Sequence, residues 1–136
     1  MKLNGFYPVL CVEDVERAAH FYVAHFGFKP VFESDWYIHL RMEGRDEIEL
    51  AFVKATHESV PESCRRGAQG IILSFEVEDA NSLYASFMKK GLNILQDLRD
   101  EPWGQRHFIL SDPCGVTIDV VQVIEATQDF QTQHLI

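Results

Sequence analysis

The spacing of hydrophobic residues changes from a strand-like to a helix-like pattern twice along the chain. Apolar residues run together over 6–12 and then recur at three- and four-residue steps over 15–26, which predicts a strand followed by an amphipathic helix. The second half repeats this change, and Val77-Glu78-Asp79 stands where Val12-Glu13-Asp14 stands in the first. Each aspartate is expected to cap the helix that follows it. Each helix is therefore expected to lie on a sheet of its own module.

Three further strands are predicted after each helix. Their ranges are 30–34, 36–42 and 47–53 in the first half, and 92–98, 105–110 and 115–123 in the second. Residues 54–70 are polar and show no periodicity, which predicts a linker between the modules. This linker could contain a short helical turn and could border a site. Residues 124–136 are expected to form a C-terminal tail that is frayed or docked on a partner subunit. The prediction is a single α+β domain, 1–136, of two tandem βαβββ modules at about 6–53 and 71–123.

Composition narrows the class of protein further. With 136 residues, 46% of them hydrophobic, the chain is long enough for one domain with a core. No apolar run is long enough to cross a bilayer and the N-terminus lacks a signal-peptide pattern, so the expected compartment is the cytoplasm. A net charge of −9 disfavours nucleic acid and anionic membranes as partners. Cys11, Cys64 and Cys114 have no metal-knuckle spacing, and Cys11 is expected to be a small buried hydrophobe.

One face of the predicted sheets carries the candidate chemistry. Because side chains alternate along a strand, Tyr7 is expected on the face away from the helix, together with Glu49 if Leu50 faces the helix. Asp119 occupies the matching place in the second half. An unpaired carboxylate is costly to bury, so two acids at matching places favour a site; the alternative is that each faces solvent or pairs with an arginine.

Aromatic side chains in strands and strand-edge loops favour binding over chemistry. Trp36, Tyr37, Trp103 and Phe108 are of this kind, whereas the aromatic residues of the helices are explained by core packing. An indole above carboxylates suits a flat, cationic or amphipathic molecule through stacking and cation–π attraction. The sequence contains no nucleophile elbow, phosphate-binding loop or zinc-protease motif.

Three stretches of the sequence resemble a known superfamily. They are Tyr7-Pro8-Val9-Leu10-Cys11-Val12-Glu13-Asp14-Val15, His20-Phe21-Tyr22 before Phe26-Gly27-Phe28, and Pro102-Trp103-Gly104-Gln105-Arg106-His107-Phe108 before Asp112-Pro113-Cys114-Gly115. Together they resemble the vicinal oxygen chelate superfamily of glyoxalases, bleomycin-resistance proteins and extradiol dioxygenases. The third stretch looks like the bleomycin-resistance branch. The resemblance implies paired βαβββ modules whose curved mixed sheets surround a cup.

The resemblance also implies where a metal would be held. Enzymes of the superfamily hold a divalent ion with one residue from the first and one from the last strand of each module, and these positions fall on Tyr7, Glu49, Ile72 and Asp119. An isoleucine and a neutral phenol make this a poor donor set, so no metal and no cofactor are expected. His39 paired with Glu49 is a minority possibility that would need further donors.

These observations lead to a primary hypothesis and two alternatives. The primary hypothesis is a non-catalytic protein that sequesters an aromatic or cationic amphipathic compound, such as a bleomycin-type antibiotic, and the resemblance implies a homodimer. The first alternative is a divalent-metal-dependent lyase, isomerase or dioxygenase with a displaced site built from Glu49, Asp119 and His39 or His107. The second is an interaction module without a small ligand. The expected ligand-binding residues are Tyr7, Tyr37, His39, Glu49, Trp103, Phe108 and Asp119.

Overall fold

The structure, a computed structural model, describes residues 1–134 and divides into two compact units, Met1–Gly70 and a second that begins at Ile71. The first unit has the predicted βαβββ order. Its elements are β1 Val9–Val12, α1 Val15–Phe26, β2 Phe28–Glu33, β3 Tyr37–Met42, β4 Arg45–Lys54 and a 3₁₀ turn, Glu62–Cys64. The 3₁₀ turn is the short helical turn for which the linker left room.

The second unit repeats the order and adds a helix. Its elements are β5 Ile72–Glu76, α2 Ala80–Lys89, β6 Asn93–Glu101, β7 Gln105–Ser111, β8 Thr117–Val123 and α3 Gln128–His134. Among residues 1–134, none of the helices is both long and apolar enough to cross a membrane.

Each unit contains one four-stranded mixed sheet. The strand orders are β1-β4-β3-β2 and β5-β8-β7-β6, so the first strand of each unit pairs in parallel with the last and the other neighbours are antiparallel. A parallel pair needs a crossover, which the helix and the two intervening strands supply. The α+β class and the two βαβββ modules, each with one mixed sheet, are thus confirmed.

The helices lie on their sheets because of the predicted caps and apolar stripes. Asp14 accepts a hydrogen bond from the backbone N–H of Arg17 at 3.1 Å, and Asp79 accepts one from Ser82 at 3.1 Å. In the first unit, Tyr22 of α1 is fully buried and its ring centroid lies 5.3 Å from that of Phe52 on β4. Burial of such aromatic side chains supplies much of the packing energy of a small core.

Most strand boundaries lie within one to three residues of the prediction, and two differences at the ends of the chain have a structural reason. The first strand begins at Val9 rather than Phe6, because Pro8 has no N–H to give to the β1–β4 ladder, although its carbonyl accepts from Ala51 at 3.0 Å. The C-terminal segment is docked on its own unit up to α3. Ile124 donates to Gly104 O and Thr127 donates to Pro102 O, each at 2.9 Å. The predicted apolar end of the tail, Leu135-Ile136, lies outside the described residues.

Candidate functional site

Strand alternation gathers a polar cluster on the face of the first sheet that points away from α1. Tyr37, His39 and Arg41 alternate along β3 with the buried Ile38 and Leu40. In the β3–β4 register, Arg41 lies opposite Glu49 and His39 opposite Ala51. We call Tyr7, Tyr37, His39, Arg41 and Glu49 the His39 cluster.

Glu49 is the centre of the His39 cluster. One carboxylate oxygen, Oε1, lies 3.0 Å from His39 Nε2 and accepts a hydrogen bond from Arg41 Nη2 at 3.2 Å. The hydrogen bond from His39 lowers the pKa of Glu49, burial opposes this shift, and Arg41 adds to it. Glu49 is therefore an ionised acid whose charge is already compensated within the cluster, and it is not a free counter-charge for a cationic ligand.

The two tyrosines complete the cluster on the other side of the imidazole. The Tyr37 hydroxyl lies 3.1 Å from His39 Nδ1, and the Tyr7 ring meets the imidazole edge-on with centroids 4.5 Å apart. Burial raises the pKa of Tyr37, and the neighbouring Tyr7 and Glu49 raise it further, so its phenol stays protonated and can donate a hydrogen bond.

An apolar cleft of about 430 Å³ lies beside this cluster. One wall comes from the sheet and the other from the linker, and Tyr37 belongs both to the cleft and to the His39 cluster. None of the lining side chains is an acid or a cationic base. The lining residues are Val9, Cys11, Trp36, Tyr37, Val53, Ser59, Val60, Pro61 and Cys64.

Contacts with β1 and with the β2–β3 connection hold the linker wall in place. Ala55 donates to Val12 O and Ala68 donates to Cys11 O, each at 2.8 Å, so both ends of the linker are hydrogen-bonded to β1. Between these ends, the His57 ring stacks on Trp36 with centroids 3.7 Å apart and an interplanar angle of 7°. The cleft is thus a formed feature of the first unit.

The second unit has a polar cluster of its own around His107. His107 is 6% exposed, with Nδ1 2.8 Å from Asp119 Oδ1 and Nε2 2.8 Å from Glu101 Oε2. Ionised carboxylates only accept hydrogen bonds, so this geometry favours an imidazolium that donates from both ring nitrogens. Burial lowers the pKa of His107, but the hydrogen bonds to Glu101 and Asp119 outweigh it and the net pKa is raised.

Ile72 and Trp103 are the other residues of the second unit that the sequence singled out. Ile72 is 60% exposed and pairs with Thr117, whereas Ser74 is the residue beside Asp119. Trp103 is 48% exposed, and its indole N–H donates to Gln105 at 2.8 Å.

Phe108 corrects the predicted set of ligand-binding residues. Its side chain is fully buried, and its ring centroid lies 5.3 Å from that of Tyr84 and 5.9 Å from that of Phe87, both on α2. Because neighbours along a strand face opposite sides, the burial of Phe108 under α2 puts His107 on the other face. Phe108 is a core residue and not a ligand contact.

Within the first unit, the structure brings four of the predicted residues together. Tyr7, Tyr37, His39 and Glu49 share the His39 cluster, whereas Asp119 belongs to the His107 cluster. The sequence prediction did not include Val60, Cys64 or Glu101. Val60 is the one large aliphatic residue of the polar linker, which is a signal of burial. No local sequence pattern distinguishes Cys64 or Glu101.

Neither histidine cluster fits a divalent metal without rearrangement. Both ring nitrogens of His39 and of His107 are engaged in hydrogen bonds, so a metal would first have to displace Tyr37, Glu49, Glu101 or Asp119. Within residues 1–134, no group of three or more His, Cys, Asp or Glu side chains is arranged to hold a metal ion.

Several solved structures share this fold. A crystal structure from Sphaerobacter thermophilus, described as a member of the glyoxalase/bleomycin resistance protein/dioxygenase superfamily, matches with a TM-score of 0.71 and 23% identity, over 90% of this chain and 98% of that one. An antibiotic binding protein from a Streptomyces species matches with a TM-score of 0.69 and 22% identity, over 90% and 97%. A lactoylglutathione lyase from Agrobacterium tumefaciens matches with a TM-score of 0.70 and 18% identity, over 90% and 96%.

The sequence itself gives the family. No curated protein matches the chain. The family profile described as the Glyoxalase/Bleomycin resistance protein/Dioxygenase superfamily matches residues 6–120, which is most of the chain and spans both βαβββ modules. The chain belongs to the glyoxalase/bleomycin resistance protein/dioxygenase superfamily.

Proposed function

We propose that this protein binds and sequesters a small aromatic compound without transforming it. The observation that carries the proposal is the apolar cleft of about 430 Å³ in the first unit. This volume lies within the range of small-molecule pockets, which are typically about 300 to 1,000 Å³. It suits a fused ring system of two or three rings, or the ring portion of a larger antibiotic of the bleomycin type.

The walls of the cleft favour a flat occupant. Trp36 and Tyr37 contribute aromatic surface, and Val9, Val53 and Val60 contribute aliphatic surface. His57 covers one face of the Trp36 indole, so an occupant would meet the other face or the ring edge. Stacked or edge-to-face aromatic pairs contribute about 0.5 to 1.5 kcal/mol beyond the area they bury.

The polar end of the site favours a neutral ring that carries a hydrogen-bonding group. Tyr37 connects the cleft to His39, and Glu49 is compensated by His39 and Arg41. A cationic ligand would therefore find no unpaired carboxylate at Glu49. The sequence favours an aromatic or cationic amphipathic compound as the ligand. With the structure, we narrow this class to a neutral aromatic compound that carries a polar substituent.

The family supports the proposal without naming a ligand. One structural neighbour is an antibiotic binding protein, and at 22% identity the likeness shows the fold alone. We further propose that Trp103 and Asp119 form a second ligand-contact surface in the second unit, used by larger compounds. Cytoplasmic location and a homodimeric assembly are part of the same proposal, on the grounds of composition and of the family resemblance.

The proposal is tested by calorimetric titration of the purified protein with acridone, a neutral three-ring compound, and with proflavine, its cationic analogue of similar shape. Bleomycin serves as the larger antibiotic. Saturable binding of acridone, at least as tight as that of proflavine, is the expected result. No saturable binding by any of the three compounds would contradict the proposal.

A metal-dependent lyase, isomerase or dioxygenase is the second candidate, and one contact favours it. His39 and Glu49 form an imidazole–carboxylate pair on the open sheet face, and a lactoylglutathione lyase is among the structural neighbours. Metal analysis of purified protein, followed by assays with added divalent ions, tests this candidate. Stoichiometric bound metal together with metal-dependent turnover would replace the binding function with an enzymatic one.

A further inference from the structure

Two cysteines that are far apart in sequence meet at the cleft. Cys11 lies on β1 in the sheet wall, and Cys64 ends the 3₁₀ turn in the linker wall. Both side chains line this one cleft. Burial, together with the neighbouring Cys64, raises the pKa of the Cys11 thiol. Neither residue belongs to the His39 cluster.

The backbone around the cysteines holds them in place. Ala68 donates to Cys11 O at 2.8 Å, and Gly67 donates to Cys64 O at 3.3 Å, so a short turn after Cys64 returns the chain to β1 beside Cys11. Arg65 Nε donates to Val60 O at 3.1 Å and so ties the chain after Cys64 to the segment before the 3₁₀ turn. Hydrogen bonds thus fix the backbone that carries the two thiols on facing walls of the cleft.

We propose that Cys11 and Cys64 form a reversible disulfide when a hydroperoxide oxidises the protein, and that this bond ties the linker wall of the cleft to its sheet wall. The modification itself does not depend on the proposed function. Its effect on ligand affinity rests on that function, because the bond would join two walls of the proposed binding cleft.

The order of the two steps follows from exposure. Cys64 is exposed and Cys11 is partly buried, so the Cys64 thiolate is the first to meet hydrogen peroxide. Its sulfur attacks one peroxide oxygen, the O–O bond breaks, and the released hydroxide takes up a proton to form water, leaving a sulfenic acid on Cys64.

The second step closes the disulfide. The Cys11 sulfur attacks the Cys64 sulfur, the S–S bond forms and the S–O bond breaks. The departing hydroxide takes the Cys11 proton and leaves as water. In total, two thiols lose two electrons and two protons, and one hydrogen peroxide is reduced to two waters. A dithiol reductant reverses the bond by thiol–disulfide exchange.

Intact mass spectrometry of three variants tests the proposal. Cys114→Ser removes the third thiol and keeps the pair, whereas the double variants Cys64→Ser/Cys114→Ser and Cys11→Ser/Cys114→Ser each keep one member of it. After peroxide treatment, Cys114→Ser is expected to lose two hydrogen atoms, regain them with dithiothreitol, and give a cross-linked peptide pair containing Cys11 and Cys64. The exposed position of Cys64 makes the variant with Cys64→Ser the safer control for folding.

The double variants should show sulfenic acid, trapped by dimedone, without a cross-link inside the chain. The proposal is overturned if Cys114→Ser accumulates trapped sulfenic acid without losing two hydrogens, or if its disulfides join separate chains on a non-reducing denaturing gel. Acridone titration then reads the effect on the cleft, where a severalfold loss of affinity on oxidation is expected. Equal acridone affinities of the oxidised and reduced proteins would show that the disulfide does not affect ligand binding. If the mass change occurs but neither form binds acridone, the proposed function is refuted and the disulfide is not.

Discussion

The hydroxyl of Tyr37 lies 3.1 Å from Nδ1 of His39. Since Tyr37 also lines the apolar cleft, this contact joins the cleft to the carboxylate of Glu49, which His39 binds through its other ring nitrogen. When Nε2 donates to Glu49, Nδ1 is free of a proton and accepts a hydrogen bond from the Tyr37 hydroxyl. A ligand that hydrogen-bonds to Tyr37 would therefore alter the hydrogen bonds of the whole His39 cluster.

Replacing Glu49 should destabilise the first unit. Glu49→Gln removes the charge that His39 and Arg41 share, and leaves a largely buried imidazole and a guanidinium without their anion. We expect a lower Tm in thermal unfolding followed by circular dichroism. Glu47→Gln is the matched control on the same strand, because Glu47 pairs only at the surface with Arg45. Equal effects of the two variants would show that the His39 cluster adds no stability.

The His107 cluster should make stability depend on pH near neutrality. The pKa of His107 is raised above its ordinary value of 6.5 in the folded protein, so the folded state binds this proton more tightly than the unfolded state does. The stability is fully present below the ordinary pKa and is lost as the pH rises through the raised folded pKa. We expect Tm to fall over that interval, and the fall to be smaller in His107→Gln.

His20→Gln is the control for the pH profile, since His20 is exposed on α1. It should leave the pH dependence of Tm unchanged. An NMR titration that placed the pKa of His107 below 6.5 would contradict the geometry of the cluster, in which both ring nitrogens face carboxylate oxygens.

Phe108 should affect stability and not ligand affinity. Phe108→Ala deletes a fully buried ring packed against Tyr84 and Phe87, and such deletions cost about 3 to 5 kcal/mol. Urea unfolding measures this loss. The milder Phe108→Leu keeps most of the volume, so it should fold and bind acridone with unchanged affinity. Weaker binding by folded Phe108→Leu would return Phe108 to the ligand site.

Substitutions at two glycines distinguish the cost of a strained backbone from the cost of a steric clash. Gly104 has φ +100°, and a Cβ there would lie 2.8 Å from Ile124 O and 3.2 Å from Ala126 N. Gly44 has φ +81° with nothing within 4 Å of its Cβ position. Gly44→Ala should cost about 1 to 2 kcal/mol from the left-handed backbone alone. Gly104→Ala should cost clearly more in urea unfolding, because the clash also loosens the segment before α3. Equal losses of stability in the two variants would mean that the backbone near Ile124 and Ala126 moves aside at little cost.

The sequence predicted the elements better than the site. The repeated order of periods, with Asp14 and Asp79 at the helix starts, predicted both βαβββ modules because these signals are local. The acids at Glu49 and Asp119 were found, but their compensation by His39 and His107 depends on cross-strand register. Phe108 was wrongly predicted as a ligand contact. Because neighbours along a strand face opposite sides, a site that includes His107 already required Phe108 to face the helix. The linker was expected to be able to border a site, but the cleft itself could not be predicted. Its linker wall depends on the hydrogen bond from Ala68 to Cys11, which no local pattern encodes.

The most direct test of the binding cleft is fluorine NMR of protein labelled with fluorotryptophan. The chain has two tryptophans, Trp36 and Trp103, and the variants Trp36→Phe and Trp103→Phe assign their resonances. Because Trp36 lines the cleft, saturating acridone should shift the Trp36 resonance and leave that of Trp103 in place. A shift of the Trp103 resonance with Trp36 unchanged would contradict the cleft as the binding site.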